Sequence, residues 1–524
     1  MRALLLNPNL PLSMFTLEES CKISGNRALC PPLGLLTVAA LLPQEWEFRL
    51  VDLNARNLTE ADWDWADLVL ISGMIIQKAG VLSLVRQAKQ RGKTSVVGGP
   101  YATSLAHEVL EAGADFLVRG EGELAIPYLL AALGDNQPGG VFEEDRKPDL
   151  TESPVPRFDL VNLDDYLTMG IQTSRGCPFN CEFCDVINLY GRVPRHKTPD
   201  QVLRELETLY RLGWRGEVFI SDDNFIGNKD HARALLNQLI PWSKSRGEPF
   251  FFWTQSSVNL GQDLPLIDLM TEANFSNVLL GVETPETDLL KQAGKYQNLQ
   301  NPLAESLGNI NARGLSMLAS FVIGFDGEKT GTGDRICEFV EGCGIPIILL
   351  ALLQPLPNTR LWDRLSQEGR LLQGQTSGDF YDLSFNYQPT RPREEILAEF
   401  VRVLDRLYDP SRYLARTYCY YLKMRPTRQA LARQRGEKPA ESRRPNHPEP
   451  ARAPLSKVIL LLIKLIWRQG IRPPYRRQFW RQLGGIYRRN PSRLDVYLTC
   501  CAFGENFFSI RRAILQKWAD MKTS

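Results

Sequence analysis

Long apolar runs are missing from this 524-residue chain. No stretch reaches the roughly 18 uninterrupted apolar residues that a bilayer span needs. The longest candidate, 458–467, is broken by Lys464. At the start, one arginine and a four-residue apolar run end at Asn7-Pro8, too short for a secretory leader and better suited to a buried strand. Cysteine is sparse: 10 in the whole chain exclude a disulfide scaffold. Net charge is scarce too, since 62 Lys and Arg against 60 Asp and Glu leave +2. With 43% hydrophobic and 23% charged residues, global disorder and fibrous repeats are excluded as well. The expected location is the cytoplasm.

The small net charge conceals an asymmetry. Residues 412–524 carry 25 Lys and Arg against 6 Asp and Glu, whereas the first 411 carry 37 against 54. A basic extension follows an acidic body.

Within the body two α/β units are legible. Residues 3–6, 47–51, 68–72, 94–97 and 116–118 read as strands, with helices over 33–42, 81–91 and 105–112 between them. This is a flavodoxin-like, doubly wound pattern, whose ligands sit at the carboxyl ends of the strands. Ser72-Gly73, Gly98-Gly99-Pro100 and Gly120-Glu121-Gly122-Glu123 follow three strands, and Asp52 follows another. Each glycine alone reads as a tight turn; three in register at one sheet edge favour a ligand. After a polar linker, strands over 170–174, 217–221, 250–255, 277–282, 318–323 and 345–352 alternate with helical segments. Six βα units predict a partial (β/α) barrel with its chemistry at the strand C-termini. The expected boundaries are 1–133, a linker at 134–165, a barrel at 166–395 and a helical extension at 396–524.

Directly after the first barrel strand stand Cys177, Cys181 and Cys184, spaced C-x3-C-x2-C. Three thiolates on one loop can hold three irons of a cubane cluster and leave the fourth open. The alternative is a zinc site completed by His196.

This loop resembles that of the radical S-adenosylmethionine (SAM) superfamily. Pro31-Pro32-Leu33-Gly34-Leu35 and Gly120-Glu121-Gly122-Glu123 resemble a cobalamin-binding domain, and Ser221-Asp222-Asp223-Asn224-Phe225, Gly281-Val282-Glu283-Thr284-Pro285 and Val322-Ile323-Gly324-Phe325 resemble strand ends of B12-dependent radical SAM enzymes. Residues 181–195 and 222–229 are similar to the hopanoid C-2 methylases and their near relatives. The resemblance implies a [4Fe-4S] cluster on Cys177, Cys181 and Cys184, with SAM on the open iron. It implies SAM contacts from Phe183, Asp222, Asp223, Asn224, Glu283 and Gly324, and cobalamin contacts at the sheet edge from Ser72, Gly73, Gly98, Gly99, Gly120 and Glu121. Structural readings stand beside these: Asp222 and Asp223 as caps of the helix at Lys229, Glu283 as a helix start, Phe183 as packing, and Cys337 and Cys343 as core.

Many cobalamin domains carry Asp-x-His-x-x-Gly, whose histidine is the lower axial ligand. Here the loop after the first strand is Asn7-Pro8-Asn9-Leu10-Pro11, and the first histidine is His107, in a predicted helix. The lower face of a bound cobalamin would then be open, water-bound or met by another group; the same absence fits a domain that has lost cobalamin. The implied activity is methylation of an unactivated carbon, with a hopanoid-type lipid as first substrate. Oxidative cyclisation or rearrangement of a porphyrin-like substrate, and a non-catalytic cobalamin or redox sensor, are the alternatives. An electron donor is implied but not identified.

In the extension, 393–409 reads as one amphipathic helix, the resemblance implies that 413–422 is a tail of the family's accessory region, and 426–454 reads as a flexible, Pro-rich excursion. Residues 457–468 are apolar almost all round, and Arg472, Arg476, Arg477, Arg481, Arg488, Arg489 and Arg493 follow, interleaved with aromatics. Two readings remain: a helix whose basic flanks pair with the acidic body, or a membrane-surface contact through 455–493. Nucleic acid would not need the apolar run.

Overall fold

The computed structural model describes residues 1–523 apart from 15, 373–375, 380 and 437–454, and omits the side chains of 455–458. The N-terminal sheet comprises β1 (Arg2–Asn7), β2 (Glu47–Asp52), β3 (Leu68–Ser72), β4 (Thr94–Gly98), β5 (Phe116–Val118) and β6 (Gly140–Phe142). All pairs are parallel, in the order β2-β1-β3-β4-β5-β6. Leu4 and Leu6 enter the core on one side of the sheet, Ala3 and Leu5 that on the other. A strand covered on both faces must be apolar throughout, which explains the run near the N-terminus. β6 lies in the segment expected to be linker: its backbone pairs with β5 as the sheet's edge, without a strong apolar pattern to announce it.

The second sheet contains β7 (Thr168–Ile171), β10 (Gly216–Ile220), β11 (Phe250–Ser256), β12 (Phe275–Glu283), β13 (Ser316–Ile323) and β14 (Ile347–Leu352). These six strands pair in sequence order, all parallel, and β7 and β14 are its two edges: a partial barrel, as expected. The first strand stops earlier than expected, because Thr173 and Ser174 turn away to bind Asp222. From there β8 (Ser174–Arg175) pairs antiparallel with β9 (Arg195–His196).

The helix Lys229–Ser245 is capped by Asn228, whose side chain accepts from the Asp230 and His231 N–H groups. Asp222 and Asp223 are therefore not its caps. Glu283 ends β12, and Glu286 starts the next helix.

The extension contributes helices Arg393–Leu407, Pro410–Lys423, Arg428–Gln434, Leu455–Leu465, Arg476–Arg489 and Leu494–Thr523, with a π-helical turn over Ile466–Ile471. Arg428–Gln434 corrects the expectation of a flexible excursion at its start; 437–454 lies outside the described residues. The extension shares the barrel's core. Tyr408 accepts from the Ile348 N–H at 3.0 Å, Tyr420 accepts from the Met317 N–H at 3.1 Å, and buried Arg416 donates to the Ile345, Pro346 and Leu407 carbonyls. No described helix is long and apolar enough to cross a membrane.

Candidate active site at the cysteine loop

The β8–β9 ladder closes residues 176–194 into one loop that carries all three clustered cysteines. Gly176 takes φ +96°, and a Cβ there would stand 2.9 Å from the Gly191 carbonyl oxygen, with those of Val193 and Tyr190 close by. Only glycine fits this turn. The Gly176 N–H donates to Asp223 at 2.8 Å and the Cys177 N–H to the Gly191 carbonyl at 3.2 Å. Across the loop the Glu182 N–H donates to the Ala293 carbonyl, and Arg364 binds the Glu182 carboxylate.

Asp222 is fully buried and accepts from the backbone N–H and hydroxyl of both Thr173 and Ser174. Four donors occupy its lone pairs, so this carboxylate holds the strand end in place. Burial pushes Asp223 up to about 6. Asn224 exchanges hydrogen bonds with Ser257 at 3.2 Å. Glu283 has φ +66° at a register shift between β12 and β13, and pairs with buried Lys295. Burial alone would depress the Lys295 ammonium, but Glu283 and the nearby Cys181 and Cys184 hold it above its ordinary value. Lys295 also lies 5.9 Å from the Phe183 ring centre, and the Gln297 amide reaches the Cys181 Sγ at 3.6 Å. Phe183 meets Phe325 edge-on at 5.8 Å beside a cavity of about 350 Å³ that Glu182, Leu353 and Arg364 also line. At Gly324, φ is +113°; its N–H is held by Glu328 and its carbonyl by the Tyr387 hydroxyl.

The donor set fits an iron–sulfur cluster. Each thiolate of a cubane takes its own iron, so the sulfurs need not converge. Among the described residues no three His, Cys, Asp or Glu side chains meet where one ion could sit, and His196 lies against His231 at 4.1 Å instead of completing a zinc site. Burial pushes the Cys184 thiol up to about 12, so metal loading must displace its proton.

In the N-terminal sheet, strand order reverses between β1 and β3, which opens a crevice at their carboxyl ends. Asn7, Asp52, Asn54, Gln77 and Tyr166 form a hydrogen-bonded floor there. A Cβ on Gly73 would strike Val81 and one on Gly99 would strike Ser72, so protein packing already requires both glycines. Gly98 faces the Val118 carbonyl at ordinary contact distance. At Gly120, φ is +79° and no protein atom stands within 4 Å of a Cβ position, which leaves room for a ligand. Both Glu121 carboxylate oxygens are taken, by Arg175 at 2.7 Å and Arg195 at 2.7 Å, and Glu123 grips Arg175 at 2.9 Å. Glu121 thus joins the sheet edge to the cysteine hairpin. Sequence reasoning missed Lys295, Gln297 and this clamp, because only folding brings residues 121, 175, 195 and 295 together.

Family comparisons agree with this two-site plan. Residues 27–130 match the B12 binding domain, 171–340 the Radical SAM superfamily and 359–519 a domain of unknown function (DUF4070). An uncharacterized methyltransferase of Synechocystis, sll1242, is 46% identical over 517 residues, 99% of this chain and 93% of that one. The hopanoid C-2 methylase of Rhodopseudomonas palustris is 34% identical over 490 residues, 92% and 88% of the two chains. The chain belongs to the B12-binding radical SAM methylases. It is a cobalamin-dependent radical SAM methyltransferase, and the family's cofactors are a [4Fe-4S] cluster, SAM and cobalamin. In fold it is similar to the radical SAM methyltransferase TsrM of Kitasatospora setae, with a TM-score of 0.55 at 18% identity over 74% of this chain and 82% of that one. The third match places most of the extension in a recurring domain, so it is more than an addition peculiar to this chain.

Proposed function

We propose that this methylase transfers a methyl group to an unactivated carbon of a polycyclic, hopanoid-type lipid. The observation that carries the substrate class is the near full-length likeness to a hopanoid C-2 methylase. When bound, the cluster with SAM supplies the hydrogen-abstracting radical, and cobalamin supplies the methyl group.

The chain's own residues divide the work. Cys177, Cys181 and Cys184 hold the cluster, and Lys295 places a buried positive charge beside two of those sulfurs. Phe183, Asn224, Glu283 and Gly324 border SAM, while Asp222 and Asp223 position the loop through backbone N–H groups. Ser72, Gly73, Gly98, Gly99 and Gly120 form the cobalamin edge, held to the cysteine hairpin through Glu121. A lipid of this class resides in a bilayer, so a membrane surface and an unidentified electron donor are the expected partners. Anaerobic turnover with SAM, a low-potential reductant and a hopanoid tests the reading. 5′-Deoxyadenosine, S-adenosylhomocysteine and a methylated hopanoid are expected together; the first two without a methylated lipid overturn the substrate, and absence of both from cluster-replete protein overturns the activity.

A further inference from the structure

The arginines of the basic extension differ in what they meet: Arg416 and Arg493 are held on backbone carbonyls. Arg412, Arg425, Arg428, Arg468 and Arg511 pair with carboxylates, among them Glu341, Asp268, Glu248, Glu19 and Asp405. Arg472, Arg476, Arg477, Arg481, Arg488 and Arg489 are all exposed, and none has a carboxylate partner among the described residues. Next to them the helix Leu455–Leu465 and its π-turn show Ile459, Leu460, Ile463, Trp467 and Ile471 at 47–57% exposure. The spacing of Ile459, Ile463, Trp467 and Ile471 puts them on one face. The helix is apolar on its other side as well: Leu461 and Leu462 line a cavity of about 580 Å³ with Leu494 and Leu498. Over 459–465 only Lys464, which donates to the Ile23 carbonyl, is polar, and a helix apolar over most of its circumference is normally buried in protein or in lipid. The Trp480 indole N–H donates to the Gly470 carbonyl at 2.8 Å and so fastens the basic helix Arg476–Arg489 to the apolar one. Along that basic helix Arg476, Trp480 and Tyr487 share a face, with Arg477, Arg481 and Arg488 on the adjoining strip.

We propose that this surface docks on an anionic lipid bilayer, with the Ile463–Trp467–Ile471 stripe in the headgroup boundary and these exposed arginines on lipid phosphates. Apolar side chains, interfacial tryptophans and arginines on one surface are the features of an interfacial helix. Two other occupants fit poorly. A second copy of the chain would set six exposed arginines against six more if the face paired with itself. The segment 437–454 contains no Val, Leu, Ile, Met, Phe, Trp or Tyr and has only Ala and Pro as apolar residues, a poor match for a stripe of Ile and Trp.

Vesicle flotation of the full chain is the test, using phosphatidylcholine vesicles with and without phosphatidylglycerol. Wild type is expected to float with the anionic vesicles and to lose binding as salt rises. The variant R476Q/R477Q/R481Q is expected to partition on the order of 100-fold more weakly, at the scale of attraction per basic residue near an anionic surface. The variant I463S/W467S/I471S is expected to show a loss of similar size at low salt while still binding heparin. Circular dichroism melts matching wild type show that both variants fold. Absence of flotation, equal flotation with neutral vesicles, or an RNA complex sensitive to the arginines while the apolar variant floats normally each overturn the proposal. The proposal does not rest on the lipid being the substrate. 5′-Deoxyadenosine formation by both variants stays at the wild-type level, so a docking failure is distinguishable from an enzyme failure.

Discussion

At the scale of single residues, the site depends on side chains that hold backbone as much as on those that would meet a cofactor. Gly176 is one such position: its Cβ has no space among three carbonyls and its φ is left-handed. Gly176→Ala is expected to leave the overall fold intact and lower the cluster content severalfold, read as iron and sulfide per chain after anaerobic reconstitution. Glu328 is a second. Burial pushes its carboxyl up to about 7, against the opposing pull of the Gly324 N–H and Arg391. The native state then holds a proton that the unfolded chain releases near pH 4.5. Stability from this group is fully present below that pH and is lost as pH rises through about 7. The difference amounts to about 3 kcal/mol. Denaturation of wild type and Glu328→Gln between pH 4.5 and 7.5 is expected to show this slope in wild type and not in the variant.

At the scale of elements, the decisive contact lies between the turn after β5 and the β8–β9 hairpin. Arg175 is nearly buried between Glu121 and Glu123, with Arg195 sharing Glu121. Removing one member leaves a buried charge unpaired, and Arg175→Met is expected to destabilise the protein by about 3 kcal/mol in urea denaturation. The clamp also ties the sheet edge proposed for cobalamin to the cysteine loop. A displacement of roughly 1 Å between reacting groups costs about 100-fold in rate. Arg175→Lys is therefore expected to retain 5′-deoxyadenosine formation while yielding less methylated product per SAM cleaved. Equal coupling in variant and wild type would remove the clamp from the reaction's geometry. Elements with a strong apolar period, such as β1, β12 and the helix Pro199–Arg211 with its Thr198–Gln201 capping box, were legible because burial dictates their residue types. β6 was not, since its edge position leaves Val141 exposed and its pattern unconstrained.

At the scale of the molecule, the extension and the barrel form one body. Tyr408 and Phe507 stack at 4.8 Å, and the Tyr413 hydroxyl donates to the Cys500 carbonyl at 2.6 Å, all within the core cluster that also contains β13 and β14. Calorimetry is expected to show the barrel and extension unfolding in a single transition. Deleting 412–524 is expected to yield aggregated protein, because the start of β13 loses Tyr420, Ile345 ahead of β14 loses Arg416, and the helix Arg393–Leu407 loses the cover of Leu494–Thr523. A separate, earlier transition for the extension would contradict the shared core.

The sequence alone determined the two α/β units, the loop of three closely spaced cysteines and the charge asymmetry. Strand burial, thiolate spacing and net charge are local or additive properties, readable in order along the chain. Tertiary structure decided which carboxylates are spoken for and which cations are left over. It set Glu121 on Arg175, Asp222 on the end of β7 and Lys295 beside the cysteines. It also set Arg412, Arg425, Arg428, Arg468 and Arg511 on carboxylates and left the arginines of 472–489 exposed, with no carboxylate partner among the described residues. Those outcomes depend on which distant groups share a burial site, and ionic pairing across long sequence separation leaves no periodic trace in the chain.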